Sequence, residues 1–430
     1  MMSGVTLPAH SGGLRGTVTL PTSKSLTNRA LIASAVAGGG TIVSPLDCGD
    51  TRVLAAALAA AGWAMEWGTE INVGERKVPE DPISLDLAES GTGARLMLAL
   101  LAASPGKSSI DGSARLRERP MAPLLESLTH LGAELGSRNG FLPVEIEGAV
   151  LQGGRVEVRP EVSSQFVSAL VMAGPLMDEG LDLVVSGSLP SAPYLDLTVD
   201  VMRAFGCELE VSDDRRRWQV PPTSLQPTRY SVEGDWSAAA FVLAAAAVGG
   251  GEVEVGPLDP ASRQGDRAVM RILADAGLDV DWTGDRVIAR GPVTAPIFAD
   301  LSHTPDLFPA LAVVAACAPP GSRFSGLHHL KHKESDRLTV MVENLERLGA
   351  RLRVDGSEME VERTLRQGSG TAPRVRAAGD HRVAMAMAVA ALVSGPLELD
   401  DPHCVSKSFP TFWEVWDRLL GAPGDAEPAT

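Results

Sequence analysis

The chain has 430 residues, 44% hydrophobic and 21% charged, the balance of a soluble globular protein of roughly two to four domains. A formal net charge of −16 argues against nucleic acid and anionic membrane as general partners, so an anionic ligand must be met by local Lys and Arg. Cys48, Cys207, Cys317 and Cys404 are far apart with no CxxC pair, which suits reduced thiols in a cytoplasm better than disulfides or a zinc site.

In chain order, "MMSGVTLPAHSGG" lacks a basic-then-apolar leader pattern, and "GVTLPA" and "LRGTVTL" read as strands. A first apolar helix ends at Gly38-Gly39-Gly40 but begins with Ser23, Lys24, Ser25, Thr27, Asn28 and Arg29. The later apolar helices also start on polar residues. "ESGTGAR" (Ser90, Gly91, Thr92, Arg95) opens the second and "SSQ" (Ser163, Ser164, Gln165) the third. The fifth starts near "HTPD" (Asp306) and the sixth at "GDHR" (Asp380, His381, Arg382). None reaches membrane-spanning length before a Gly or Pro. Between them run amphipathic helices beginning near "RLRERP" (Arg115, Arg117, Arg119), "SAPY" (Ser191, Tyr194), "KHKESDR" (Lys333, Glu334, Arg337) and "SKSFP" (Lys407).

The amphipathic helices close at Gly62, Gly132, Gly206, Gly277, Gly349 and Gly421, spaced 70, 74, 71, 72 and 72 residues apart. The apolar helices end at Gly38, Pro105, Pro175, Gly249, Pro319 and Gly395, spaced 67, 70, 74, 70 and 76. Two helix series with one period mean six repeats. Each closing glycine fits a C′ residue with positive φ. "CELEVSDDRRRWQV", "LDVDWTGDRVIAR" and "ARLRVDGSEMEVE" read as hairpins turning at Asp-Asp, Thr-Gly and Asp-Gly.

The sixth repeat lacks its closing strands, and the N-terminal strands are free to supply them. This predicts an α/β chain of two three-repeat domains: 16–228, and 1–15 with 229–422, followed by a disordered tail at 423–430. Crossings near 13–18 and 226–232 would form a two-stranded hinge with a ligand cleft between the domains.

A helix N-terminus offers free N–H groups and the positive end of its dipole to an anion. Ser, Thr and Asp at such positions are most often caps, and a lone first-turn Arg is usually solvated. Polar side chains guarding so many buried helices point further, to a shared receptor for a multiply charged small anion. Other signals fail: "SPGKSS" lacks the first glycine of a phosphate loop and follows a helix. His328, His329 and His332 lie beside Lys331 and Lys333, which oppose a metal cation.

Together, "SKSLTNR" at 23–29, "RLRERP" at 115–120, "SSQF" at 163–166, "KESDR" at 333–337, "GDHRVAMA" at 379–386 and "SKSFP" at 406–410 resemble the 5-enolpyruvylshikimate-3-phosphate synthase family over nearly the whole chain. The resemblance implies two domains of three βαβαββ units each, an inside-out α/β barrel arrangement with the active site in the cleft. It implies transfer of the carboxyvinyl group of phosphoenolpyruvate to the 5-hydroxyl of shikimate 3-phosphate, releasing phosphate, in the shikimate pathway to chorismate and the aromatic amino acids. No metal or organic cofactor is implied, and the partners are the two small-molecule substrates; the chain is expected to be a cytoplasmic monomer.

By position, Lys24, Ser25, Arg29, Ser163, Ser164, Gln165, Ser191, Tyr194, Asp306 and Lys333 resemble the shikimate 3-phosphate contacts. Lys24, Gly91, Thr92, Arg115, Gln165, Arg337, His381, Arg382 and Lys407 resemble the phosphoenolpyruvate set. Asp306 and Glu334 resemble the acid/base pair, with Lys24 a further candidate. Bidentate arginine suits carboxylate and phosphate. Two departures stand out: Leu96 where the family commonly has Pro, and His329 where it commonly has Asn. Glyphosate inhibition is expected because Gly91 leaves room for it. The sister transferase acting on UDP-N-acetylglucosamine usually shows Lys-Asn at the first helix and often a loop cysteine, whereas this chain has Lys24-Ser25 and no cysteine near Arg115. A non-catalytic anion-binding protein would gain nothing from Asp306 and Glu334.

Overall fold

The computed structural model describes residues 4–10, 12–365 and 372–421; the tail expected at 423–430 lies outside them. The chain divides into two compact units, one Thr22–Glu233 and the other the chain up to Pro21 together with that from Gly234 onward. Both divisions fall a few residues beyond the boundaries read from the sequence, and strand pairing is the reason. Leu14–Thr19 pairs in parallel with Gly251–Gly256 and so belongs to the second unit. Thr228–Ser231 pairs in parallel with Gly40–Val43 and so belongs to the first.

In the first unit the chain forms helices α1 (Lys24–Val36), α2 (Gly49–Ala60), α3 (Gly91–Ala102), α4 (Ala114–Arg117), α5 (Ala122–His130), α6 (Gln165–Ala173) and α7 (Pro193–Ala204). Three four-stranded sheets accompany them, each a parallel pair extended by an antiparallel hairpin. One runs Thr228–Ser231, Gly40–Val43, Glu70–Arg76, Trp63–Trp67, and a second Ile83–Asp86, Gly106–Asp111, Phe141–Gly148, Glu134–Arg138. The third runs Gly154–Val158, Leu181–Val185, Arg217–Val220, Glu210–Val211.

The second unit carries α8 (Trp236–Gly249), α9 (Ala268–Asp275), α10 (Phe308–Cys317), α11 (Arg337–Arg347), α12 (His381–Ser394) and α13 (Phe412–Leu419). Two of its sheets repeat the same plan. The third has three strands: Val5–Leu7 lies antiparallel to Leu397–Leu399, which pairs in parallel with Arg374–Val375. The N-terminal strand therefore stands where the other sheets have the return strand of a hairpin, and it completes the sixth repeat.

Helices apolar on every side belong inside a domain. Thirteen residues of the fourteen-residue α8 are buried, as are thirteen of fourteen in α12 and eleven of twelve in α3. These helices form the interior of their units, and the sheets cover them with alternate residues such as Ile42, Val144, Val253 and Val287 turned inward. The described strands make six separate sheets with no closed barrel.

The amphipathic helices α2, α5, α7, α9, α11 and α13 all end on the predicted glycines, whose φ values run from 72° to 103°. At α7 the C″ amide of Cys207 donates to Met202 O and that of Gly206 to Arg203 O, both at 2.9 Å, the paired bonds of a Schellman stop. Two hairpins turn one residue later than expected. Thr283 pairs with Arg286 and Asp355 with Glu358, so Gly284-Asp285 and Gly356-Ser357 are the central residues and glycine supplies the positive φ of the first position. In the other, Asp213-Asp214 lies inside a longer loop between Val211 and Arg217. No helix of the described residues is long and apolar enough to cross a membrane.

Candidate active site

Each unit gathers its own cluster of sequence-predicted residues. In the first, Lys24 is the first helical residue of α1, and its ammonium lies 3.0 Å from Asp50 Oδ2, with side chains 13% and 9% exposed. Asp50 is the second residue of α2 and holds the Lys24 ammonium there. Arg29, one turn further on, is not solvated. Its Nε donates to Thr198 Oγ1 at 2.9 Å, Nη1 to Ser25 O at 3.1 Å, and Nη2 to Ser168 Oγ at 3.3 Å and Tyr194 O at 3.0 Å. Burial holds its pKa down to about 10. Arg29 thus ties α1 to α6 and α7, the helices that begin at Gln165 and just before Tyr194.

The starts of α3 and α6 meet through Gln165. Its Nε2 donates to Thr92 Oγ1 at 2.8 Å, and Arg95 Nη1 donates to its Oε1 at 2.5 Å. Arg95 also donates to Pro120 O at 3.1 Å and stacks 5.0 Å above the Phe166 ring. Ser163 Oγ accepts from Gln165 N at 3.3 Å, and Ser164 is buried at the N-cap of α6. Ser191, just before α7, has a φ of +58°, a strained conformation for a non-glycine that recurs at ligand clamps. Ser90 is a cap, its Oγ accepting from Gly93 N.

Gly91 has Arg119 against it: a Cβ there would lie 2.1 Å from Arg119 Nη1. Arg119 is buried, and its Nε has no hydrogen-bond partner in the protein. Arg115, expected in the phosphoenolpyruvate set, pairs with Glu118 at 2.8 Å on a half-exposed surface of α4. The reason is local: α4 stops at Arg117, and Pro120 forces the preceding residue out of the helix, turning Arg119 inward. Leu96 is buried within α3.

In the second unit the charges concentrate on Arg337, the first residue of α11, whose side chain is fully buried. Its Nε donates to Asp380 Oδ2 at 2.9 Å, Nη1 to Asp306 Oδ1 at 2.8 Å and Nη2 to Glu334 Oε2 at 2.8 Å. Burial opposes its charge, but Asp380, Glu334 and Asp306 outweigh that and push its pKa up. Asp306 Oδ2 also accepts from Arg382 Nη2 at 2.9 Å, and Lys333 Nζ lies 3.9 Å from Oδ1. Burial alone would raise the Asp306 carboxyl; Arg382, Lys333 and Arg337 hold it well below the usual carboxylate range. Asp380 is the N-cap of α12, accepting from Arg382 N at 3.0 Å, and also takes the Ser335 hydroxyl. His381 is buried as the first residue of α12, and Lys407 is buried at the end of the short turn Pro402–Lys407.

Two further groups lie beside this cluster, Asp266, which the sequence reading missed, and His329, which it noted only as a departure from the family pattern. Asp266, on the turn before α9, accepts from Ser237 at the start of α8. Burial, then Asp306, pushes its pKa up to about 6 against the pull of Arg382 and Ser237. His329 is buried with no hydrogen-bond partner on either ring nitrogen. Burial, then Lys333 and His328, pushes its pKa down to about 3, so the ring is neutral. The QGDR phrase resembles the ESDR phrase that introduces Arg337, a signal that could have flagged Asp266.

The chain matches the sequence family described as EPSP synthase (3-phosphoshikimate 1-carboxyvinyltransferase) over residues 8–416. It is 38% identical over 420 residues to the 3-phosphoshikimate 1-carboxyvinyltransferase of Syntrophobacter fumaroxidans, covering 95% of this chain and 97% of that protein. It is likewise 38% identical to that of Methanothermobacter thermautotrophicus, covering 94% and 96%. A solved structure of EPSP synthase from Acinetobacter baumannii superposes with a TM-score of 0.77 at 26% identity, covering 96% of this chain and 97% of that one. With a buried cationic cluster in each unit and a match along nearly its whole length, this chain belongs to the EPSP synthase family.

Proposed function

We propose that this chain transfers the carboxyvinyl group of phosphoenolpyruvate to the 5-hydroxyl of shikimate 3-phosphate and releases inorganic phosphate, a step of the shikimate pathway. The observation that carries the reading is the Asp306 carboxylate bridged by Arg337 and Arg382. It sets a candidate base beside two guanidiniums suited to a carboxylate or phosphate.

In the reaction, Asp306 takes the hydroxyl proton while the oxygen attacks C2 of phosphoenolpyruvate, and Lys24 or Glu334 protonates the C3 methylene. The tetrahedral adduct then loses a proton from C3 and expels phosphate, re-forming the double bond. Each proton transfer contributes ~10²–10⁴ in rate, and fixing two anions against the same cations adds proximity. Arg337, Arg382, Lys407 and His381 serve phosphoenolpyruvate, as do Arg119, Gly91, Thr92, Gln165 and Lys24 from the first unit. Ser163, Ser164, Gln165, Ser191, Tyr194, Ser25 and Lys333 serve shikimate 3-phosphate, with Arg29 setting the helices that present them. The protein acts as a cytoplasmic monomer.

Incubation with both substrates and measurement of released phosphate tests the reading. Release with shikimate 3-phosphate and none with UDP-N-acetylglucosamine is the expected result. Release with the nucleotide sugar alone, or with neither acceptor, overturns it.

A further inference from the structure

Arg337 has no donor edge to spare. Asp380 takes Nε, Asp306 takes Nη1 and Glu334 takes Nη2. An incoming carboxylate or phosphate can bind this guanidinium bidentately only by displacing one of the three. They are not equally displaceable. Asp380 has a fully buried side chain, caps α12 and accepts from Ser335, so moving it would undo a helix start as well as an ion pair. Glu334 has 15% of its side chain exposed and sits three residues before Arg337, from whose Nη2 it accepts. Asp306 has 18% exposed, lies on the short turn Pro305–Leu307, and spans both Arg337 and Arg382. Its departure would open donors on two guanidiniums at once.

We propose that Asp306 is a resident anion, occupying in the unliganded enzyme the seat that the substrate anion takes, so that substrate binding is an exchange of one carboxylate for another. The anion takes over Arg337 and Arg382, and Asp306 loses the two contacts that make it a poor base. No proton moves in the exchange itself. Three cations suppress the proton affinity of Asp306, and compensating two of them with the bound anion restores it where the acceptor hydroxyl needs a base. The displacement stands on geometry alone; its link to proton transfer rests on the reaction proposed above. A self-occupied site lowers apparent affinity by the fraction of molecules in which the seat is open.

The test measures calorimetric binding of phosphoenolpyruvate, and separately of inorganic phosphate, to the wild type, Asp306→Asn and Glu334→Gln at one pH and low ionic strength. Either substitution removes one negative charge near Arg337, so a general charge effect would tighten both alike. Displacement predicts Asp306→Asn to bind about tenfold more tightly or better than the wild type, with Glu334→Gln clearly less improved, while turnover of Asp306→Asn collapses. Asp306→Ser serves as a second substitution, and should show a larger phosphate-induced rise in melting temperature than the wild type. Asp306 variants that bind no more tightly, equal tightening in Glu334→Gln, or no anion binding in any protein would each overturn the exchange. Phosphate release by the wild type with both substrates is read separately: its absence would sink the reaction, whereas the affinity ranking decides the displacement.

Discussion

Replacing Gly91 with alanine tests whether Arg119 is the arginine of the first unit that serves phosphoenolpyruvate. Gly91 is the first residue of α3 and its backbone is outside the left-handed region, so alanine is conformationally acceptable and gains up to ~1 kcal/mol of helix propensity. The added Cβ, however, would sit 2.1 Å from Arg119 Nη1 and 2.5 Å from Cζ, where ordinary contact begins at 3.4 Å. The guanidinium must retreat by about 1.3 Å. It can do so, because it is the far end of a flexible side chain whose Nε has no protein partner to hold it.

The fold should therefore survive and binding should suffer. A displacement of about 1 Å costs up to ~10²-fold in a positioned reaction, so kcat/KM for phosphoenolpyruvate should fall roughly 10- to 100-fold, chiefly through KM. The melting temperature and the KM for shikimate 3-phosphate should change little. Glyphosate should inhibit the wild type and lose potency on Gly91→Ala for the same reason. Adding Arg119→Ala to Gly91→Ala should cause little further loss, since both act through one group. Steady-state kinetics with each substrate varied decides the matter; a KM for phosphoenolpyruvate within about twofold of wild type would refute the assignment.

Lys24→Met should lower kcat by ~10²–10⁴ and cost only ~1–3 kcal/mol of stability, from leaving Asp50 without its cation; a near-normal rate removes Lys24 from the reaction. Arg29→Ala should lower stability by about 3–5 kcal/mol in denaturant titration, because Thr198, Ser168 and the Tyr194 carbonyl lose a buried charged donor; an unchanged midpoint counts against its role as a tie. Burial pushes the Asp266 pKa up to about 6 from the ordinary aspartate value of 3.8, so the folded state holds the extra proton and its stabilisation, at most ~3 kcal/mol, is present below 3.8 and lost as pH rises through about 6. Asp266→Asn should flatten the fall in melting temperature between pH 5 and 7.5; parallel curves for the two proteins would contradict this.

The features that could be read from the sequence are those fixed by local backbone physics. Six closing glycines were legible because a helix C′ position in the left-handed region excludes most other residues, and the incomplete sixth repeat announced that strands had to come from elsewhere. The hairpin turns were misplaced by one residue because Thr-Gly and Asp-Gly do not say which strand position the glycine follows. Tertiary choices were hidden. Arg115, Arg117 and Arg119 look alike along the chain, and only the end of α4 and the ring of Pro120 turn the last one inward. Arg29 resembled a solvated or ligand-facing cation, yet its main acceptors come from residues 139 to 169 positions away. Arg337 was recognisable as an anion receiver; that Asp306, Glu334 and Asp380 already occupy it was not.

The repeat itself explains this division. Asp50, Asp266 and Asp336 stand 12, 11 and 13 residues before the glycines that close α2, α9 and α11, at one step of the same structural unit. Their partners differ: Asp50 pairs with Lys24, Asp266 accepts from Ser237, and Asp336 caps α11 through Thr339 N. A position that recurs in three of the repeats therefore carries a different electrostatic task in each: Asp50 and Asp266 answer residues at the starts of α1 and α8, whereas Asp336 serves its own helix. Lysine begins α1, where tryptophan and serine begin α8. The period specifies where helices stop and sheets pair; the chemistry lies in the residues that break it.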